Sequence, residues 1–302
     1  MKALASFIMQ GGRQATIVVA TMAILSLLLP PLVIISAAGL SLVTLRDGWP
    51  NGLRVLVGST VATSLIGYIV LGSALVSLSY LLMIWLPVFV VSLVLRETGE
   101  LNKALECLVV ISMLAVTAVY SFVDNPAQHW VEGVQGVITV LAEQQELLLT
   151  QAELVAALDV WSHYLTGFVV AGVSASILLS LLLGRWWQGL LFNPGGFNNE
   201  FKRFRLLPRD GVFFVILFAI AMLLDGQLAE WLWNLDIQVL LLFSIVGVSV
   251  VHVIVKSKGG SQFLIFIFYA AVFFVPHLIV PLIIIGLSDV WMNWRQRFIS
   301  KV

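Results

Sequence analysis

From Val55 to Leu95 the chain runs for 41 residues without a charged side chain. A bilayer core of ~30 Å is crossed by about 20 helical residues. The run is therefore too long for one span and right for two, with Gly72-Ser73 as the break. Composition agrees: hydrophobic residues make up 60% of the 302 and charged residues 11%. A soluble domain has about 45–50% and about 25%. The expectation is an all-α, polytopic transmembrane bundle.

Other segments repeat the signal. Ala15 to Leu45 carries no charge and is interrupted by Pro30-Pro31. Paired prolines remove two backbone donors and disfavour helix just before them, so this run is either one sharply broken helix or a hairpin. Lys2 and Arg13 precede it and Ser36-Ala37-Ala38 suits cleavage, but the run continues well past a signal peptide's apolar core and reads as retained. Cys107 to Val123 is one span, Tyr164 to Gly184 another. Gly211 to Leu224 and Asp236 to Val255 follow, joined by an acidic turn with Asp225, Glu230 and Asp236. Phe263 to Leu287 contains Pro276 and Pro281 and is either kinked or a hairpin. Between the spans, Asp124 to Asp159 carries six acids and no Lys or Arg, with Val134, Ile138, Leu141, Val155 and Leu158 at helical spacing; it reads as an external amphipathic insert. Residues 185–210 read as a basic cytoplasmic loop. The whole chain, 1–302, is expected to be one integral membrane domain of about 8 membrane segments (range 7–10).

The cations set the orientation. If both terminal runs are hairpins, all 16 Lys and Arg fall on one side, which positive-inside bias makes cytoplasmic. Both termini are then cytoplasmic, in a bacterial inner membrane, with six full spans and two terminal hairpins. Hairpin arms of about 12–15 residues reach only about 18–22 Å, so they must be re-entrant or shielded by protein. Single bent spans at the ends would instead give seven or eight full spans.

Little in the sequence points to chemistry. Zero net charge gives no reason to expect nucleic acid. Cys107, the sole cysteine, forms no intramolecular disulfide or cysteine zinc cage and reads as a packing residue. No Walker loop, HExxH or GxSxG motif is present, so no enzyme activity, ATP site or cofactor is expected. His129 and His163 are too far apart in sequence to imply a metal site. The most distinctive stretch joins Trp186-Trp187 at the end of a span to an Asn193-Pro194-Gly195-Gly196 turn and a basic, Phe-bearing tail. Arg185, Trp186, Trp187, Gln188, Asn193, Lys202, Arg203 and Arg205 are the candidate cytoplasmic site, for anionic head groups, a phosphorylated ligand or a partner's acidic face. Plain interfacial anchoring is the simpler account. His252 and His277, inside late membrane segments, are the intramembrane candidates, with bonding to a neighbouring helix as the simpler role. Asp225 reads as solvated, and Asp289 as a partner for Arg295. Before residue 80, small and hydroxyl residues such as Gly58, Ser59, Thr63 and Gly67 suit close helix packing.

The run RWWQGLLFNPGGFNNEFKRFRL, Arg185 to Leu206, resembles the core of the YybS-like family of predicted bacterial membrane proteins, and GLSDVWMNWRQRF, Gly286 to Phe298, resembles that family's ending. The family is distantly similar to the substrate-binding membrane components of energy-coupling-factor vitamin transporters and to the rod-shape protein that scaffolds wall synthesis. The resemblance implies a small-solute binding or transport component without its own ATPase site, partnered by an ATPase module. A cell-envelope scaffold that recruits an envelope-synthesis protein is the alternative, and a lipid-handling protein a third. The resemblance transfers no binding residue, because this chain has extra membrane segments and the acidic insert.

Overall fold

A computed structural model describes residues 1–143, 151–194, 196, 200 and 205–299, with the side chains of 71, 138, 139, 141–143, 151, 152, 296 and 299 left aside. Lys202, Arg203 and residues 144–150 lie outside the described residues. The described chain is helical, without a strand. A short α1 (Lys2–Ile8) leads into α2 (Gly12–Leu25) and α3 (Leu32–Asp47), which flank Pro30-Pro31. α4 (Trp49–Leu71) ends at Gly72, whose φ of 67° makes it a left-handed cap. α5 (Leu75–Tyr80) passes through one π turn, Leu81–Trp85, into α6 (Leu86–Thr98). α7 (Leu101–Phe122), α8 (Pro126–Glu143) and α9 (Gln151–Phe192) follow. After the motif region come α10 (Pro208–Leu223), α11 (Gly226–Ser257) and α12 (Gln262–Phe274). A 3-10 turn, Pro276–Leu278, then leads to α13 (Ile279–Met292) and α14 (Trp294–Ile299).

Among the described residues, five helices are long and apolar enough to cross a membrane: α4, the α5–α6 unit, α7, α9 and α11. The α12–α13 pair, bent by 106°, makes up to six if it is one span. This is a coarser result than the expected eight segments.

Two sequence boundaries need correction. The span expected over 164–184 is part of one 42-residue helix, Gln151–Phe192. Hydropathy marks where a membrane ends, not where a helix ends. Nothing between 151 and 192 breaks a helix, and the first proline after it is Pro194. The four residues Arg185 to Gln188 are therefore helical, not loop, and the described part of the segment expected to be external is α8 and the first turns of α9. The acidic turn also shrinks to Leu224-Asp225. Glu230 and Asp236 lie inside α11, because the helix starts at Gly226 irrespective of its acids.

Hydrogen bonds fix the helix directions. Trp85 Nε1 donates to Ser36 Oγ (3.1 Å), Ser92 Oγ to Ser41 Oγ (2.8 Å) and Arg96 Nη1 to Leu45 O (2.7 Å). Pairing with an almost constant offset makes α6 parallel to α3. Gln188 Nε2 also donates to Leu45 O (3.2 Å), and Gly184 abuts Ser41 and Ala38, so α9 runs the same way. His163 meets Glu230 and Gly167 meets Asn234, one offset of 67 residues, so α11 is parallel to α9. The C-terminal ends of α3, α6, α9 and α11 thus lie together and bring Arg46, Arg96, Arg185 and Lys256 to one end of the bundle.

The cores of the two halves are built differently. In α3 every residue from Ser36 to Leu45 is buried, and Ser36 Oγ donates across the hairpin to Val19 O (2.7 Å). In the C-terminal pair α12 has no buried residue. Contact falls on α13, where Gly247 and Gly286 let the backbones of α11 and α13 touch. A Cβ on Gly247 would sit on Leu282 O, and one on Gly286 on Phe243 O. Small residues permit such close approach in a setting where apolar burial does not drive helices together.

Candidate functional site

Along α11, Glu230 and Lys256 are 26 positions apart, about 39 Å of helix, close to the ~40–45 Å of a bilayer with its head groups. One end of α11 is acidic and the other basic.

At the acidic end a hydrogen-bonded network ties α7, α9 and α11 together. Tyr120 OH donates to Glu230 Oε1 (2.6 Å), and His163 Nδ1 bonds Glu230 Oε2 (2.7 Å). Asn234 is buried and sits one turn further in. Its Nδ2 donates to Tyr120 OH (3.0 Å), His163 O (2.6 Å) and Glu230 O (2.7 Å), while its Oδ1 accepts from Gly167 N–H. His163 and Gly167 are the i and i+4 positions that an α-helix pairs with each other. The Asn234 amide thus addresses both ends of one rung of the α9 ladder while the helix runs on unbroken. Gln238 continues the stripe at i, i+4, i+8 by donating from Nε2 to Gly167 O (2.9 Å). A bare Cα at Gly167 makes room, since a Cβ would lie 2.8 Å from Asn234 Oδ1.

Outside this network lies a cavity of about 660 Å³ whose lining includes Asp124, Asp159, Asp225, Glu230, His163 and Trp233, with no Lys or Arg. Asp124, Asp159 and Asp225 are exposed, and none is paired with a Lys or Arg among the described residues. Glu230 is the inner wall, already held by Tyr120 and His163. Sequence reading placed these acids externally without joining them. What joins them is the pairing of Glu230 with two residues 110 and 67 positions away, which no periodicity shows.

Asp236 differs from these acids. It is 1% exposed, and neither carboxylate oxygen has a hydrogen-bond partner among the described residues. It was expected in a solvated turn; the continuous helix puts it in the bundle, where an unpaired carboxylate is costly.

At the basic end the expected residues separate into distinct roles. Arg185 is nearly buried. Its Nε donates to Glu200 Oε2 (2.8 Å), its Nη2 also reaches Glu200, and its Nη1 donates to Gln188 Oε1 (3.1 Å). These contacts satisfy Arg185 internally. Trp187 is fully buried, so it belongs to the core and not to an interfacial aromatic belt; Trp186 alone faces outward. Asn193 lies just past the end of α9, with its amide beside Gly196. Arg205 Nη2 donates to Val290 O (3.0 Å), joining the motif to the C-terminal segment. There Asp289 and Arg295, both buried, approach to 3.5 Å as the sequence suggested. Burial pushes the Arg295 guanidinium below its usual range, the Asp289 charge opposes this and Arg205 adds to it.

The two histidines do not meet. His252 Nδ1 and Tyr269 OH are 3.1 Å apart, which bonds α11 to α12. His277 is exposed in the 3-10 turn between α12 and α13. No cluster of three or more His, Cys, Asp or Glu suited to a metal is found among the described residues. No protein-family model, curated protein or solved structure matches the chain.

Proposed function

We propose that this protein is the binding component for a small cationic solute, entering from the acidic end. The observation that carries the proposal is the cavity of about 660 Å³ with four carboxylates and no Lys or Arg. Its size falls within the ~300–1,000 Å³ of small-molecule sites. Carboxylates supply the charge, and the Trp233 and Tyr164 rings at its wall offer faces to a cation. Behind the cavity, Asn234, bonded to the α9 backbone at His163 and Gly167, links occupation at Glu230 and His163 to that helix. No ATP motif is present in the sequence, and an ATPase module is the partner the YybS-like resemblance suggests.

In this reading the basic end faces the cytoplasm of a bacterial inner membrane, and both termini lie there. The hairpin tips support re-entrant loops: Leu27, Leu28 and Leu29 are 49%, 81% and 61% exposed between α2 and α3, and Phe273 and Phe274 are 78% and 77% exposed beside the second bend. Such tips suit hydrocarbon and not water.

Full-length protein in detergent micelles, titrated with tetramethylammonium and separately with acetate, tests the binding proposal. Saturable binding of the cation alone, abolished by Asp159→Asn with Asp225→Asn, is expected. Equal response to both ions, or a cation response unaltered by the double variant, overturns it. Labelling a cysteine placed at Gln10 from the outer side would overturn the N-terminal hairpin.

A further inference from the structure

At the opposite end of the bundle lies a second cavity, of about 630 Å³, a lateral cleft between α9, α11 and α12. Its wall is graded along its length. The inner part presents Leu178 and Leu182 of α9, Ile245 and Val248 of α11 and Val272 of α12. The outer part presents Trp186, His252, Lys256 and Tyr269. On α11 and α12 the polar residues lie nearer the cation-bearing end than the apolar ones, while on α9 Trp186 is followed by Gly189 and Leu190. From Leu178 to Leu190 the cleft follows 12 residues of α9, about 18 Å. One leaflet's share of a ~30 Å hydrocarbon core is about 15 Å, so the cleft extends a short way beyond it to head-group level.

The outer part is also built for an anion. Lys256 is exposed, and no Asp or Glu lines the cleft. The His252–Tyr269 pair offers polar ring edges between α11 and α12. Trp186 is the half of the Trp-Trp pair that faces out, where an amphipathic ring sits between acyl and head-group regions. Gly189, without a side chain, and Pro194, which follows the end of α9, also line the cleft. These are the elements of the Trp-Trp-Gln and Asn-Pro-Gly-Gly motif that the Arg185–Glu200 pairing does not account for.

We infer that this cleft is a binding site for one anionic membrane lipid, with an acyl chain along Leu178, Leu182 and Val248 and its phosphate at Lys256 beside His252 and Trp186. The inference is independent of the acidic cavity: the two sites share no residue and lie at opposite ends of α11.

The test uses full-length protein in micelles, titrated with phosphatidylglycerol, phosphatidylcholine or inorganic phosphate, with bound lipid counted by native mass spectrometry. One saturable phosphatidylglycerol is expected, with phosphatidylcholine weaker and inorganic phosphate a poor competitor. Lys256→Gln should weaken phosphatidylglycerol about fivefold, the effect of one basic residue near an anionic surface, and Leu182→Trp should block both lipids by filling the chain's path. Lys256 is exposed, so its substitution does not threaten the fold. Equal binding of the two lipids, untouched by either variant, would show annular lipid and overturn the site. Full competition by inorganic phosphate with Leu182→Trp harmless would show a free-anion site and overturn the lipid assignment.

Discussion

The two proline-interrupted ends of the chain look alike as sequence and are held in the bundle by different forces. At the N-terminal end, α3 is buried along ten consecutive residues and bonded on two sides through uncharged hydroxyls, with Ser36 linking Val19 O and the Trp85 indole. At the C-terminal end, α12 buries nothing, while α13 is fastened by backbone contact at two glycines and by a buried Asp289–Arg295 pair. The first hairpin is a core element. The second is anchored along one arm only, and its free arm forms a wall of the lateral cleft. Two prolines in an apolar run therefore specify a bend without specifying how the bent piece is held.

The largest expected effect tests the charged fastening. Asp289→Ala leaves Arg295 buried without its carboxylate, and breaking a buried pair in this way costs about 3–5 kcal/mol. Equilibrium unfolding in mixed micelles should show that loss, and replacing both residues with apolar ones should recover much of it. A loss under about 1 kcal/mol would mean that α13 is held by the glycine contact alone.

That glycine contact comes next. Gly286→Leu sets a side chain against Phe243 O, backbone that does not rotate away. Overpacking of this kind costs typically about 1–3 kcal/mol and occasionally more, so the same unfolding assay should show it, with α13 displaced from α11. A fully stable variant would show that the two backbones are not in contact.

On the N-terminal side the counterpart is smaller. Trp85→Phe keeps one aromatic ring in the core, gives up the volume of the second, and leaves Ser36 Oγ without its indole donor; Ser36 still donates to Val19 O. One hydrogen bond contributes about 0.5–1.5 kcal/mol and the lost ring volume adds to it, so the unfolding free energy should fall by about 1–2 kcal/mol. A loss as large as that of Asp289→Ala would reverse the comparison, making the uncharged hairpin the more dependent on a single bond.

How much of this was legible in sequence follows from the range of each force. Apolar runs depend only on local composition, so the break at Gly72 and the span at α7 were readable, as was the Asp289–Arg295 pair, whose members lie six residues apart. The end of α9 was not, because charge and aromatic content changes at Arg185 while helical propensity does not. Trp186 and Trp187 are adjacent letters, yet a 100° turn of helix sends one to the cleft and the other to the core. The network at Glu230 was invisible for a further reason: its members come from three helices, and only their parallel and antiparallel alignment brings them into register. Asp236 was misplaced because an acid between apolar runs reads as a turn when nothing local says that the helix continues.

The smallest expected effect sharpens the comparison from its loose side. Phe266 lies on α12, 68% exposed, on a helix with no buried residue. In water, exposing a phenylalanine is unfavourable and removing it can help. Against lipid tails the side chain exchanges one apolar neighbour for another, so no hydrophobic term is at stake between helix and bilayer. Phe266→Ala also keeps a good helix former at the position. The change in unfolding free energy should therefore stay within about 0.5 kcal/mol, the range of substitutions remote from packing and polar features. A loss near the 3–5 kcal/mol typical of a core Phe→Ala would mean that α12 is packed against protein, and the cleft would then be closed on that side. A neutral result, with Asp289→Ala strongly destabilising on the arm beyond the bend, would establish α12 as a lipid-facing flap on an anchored stem.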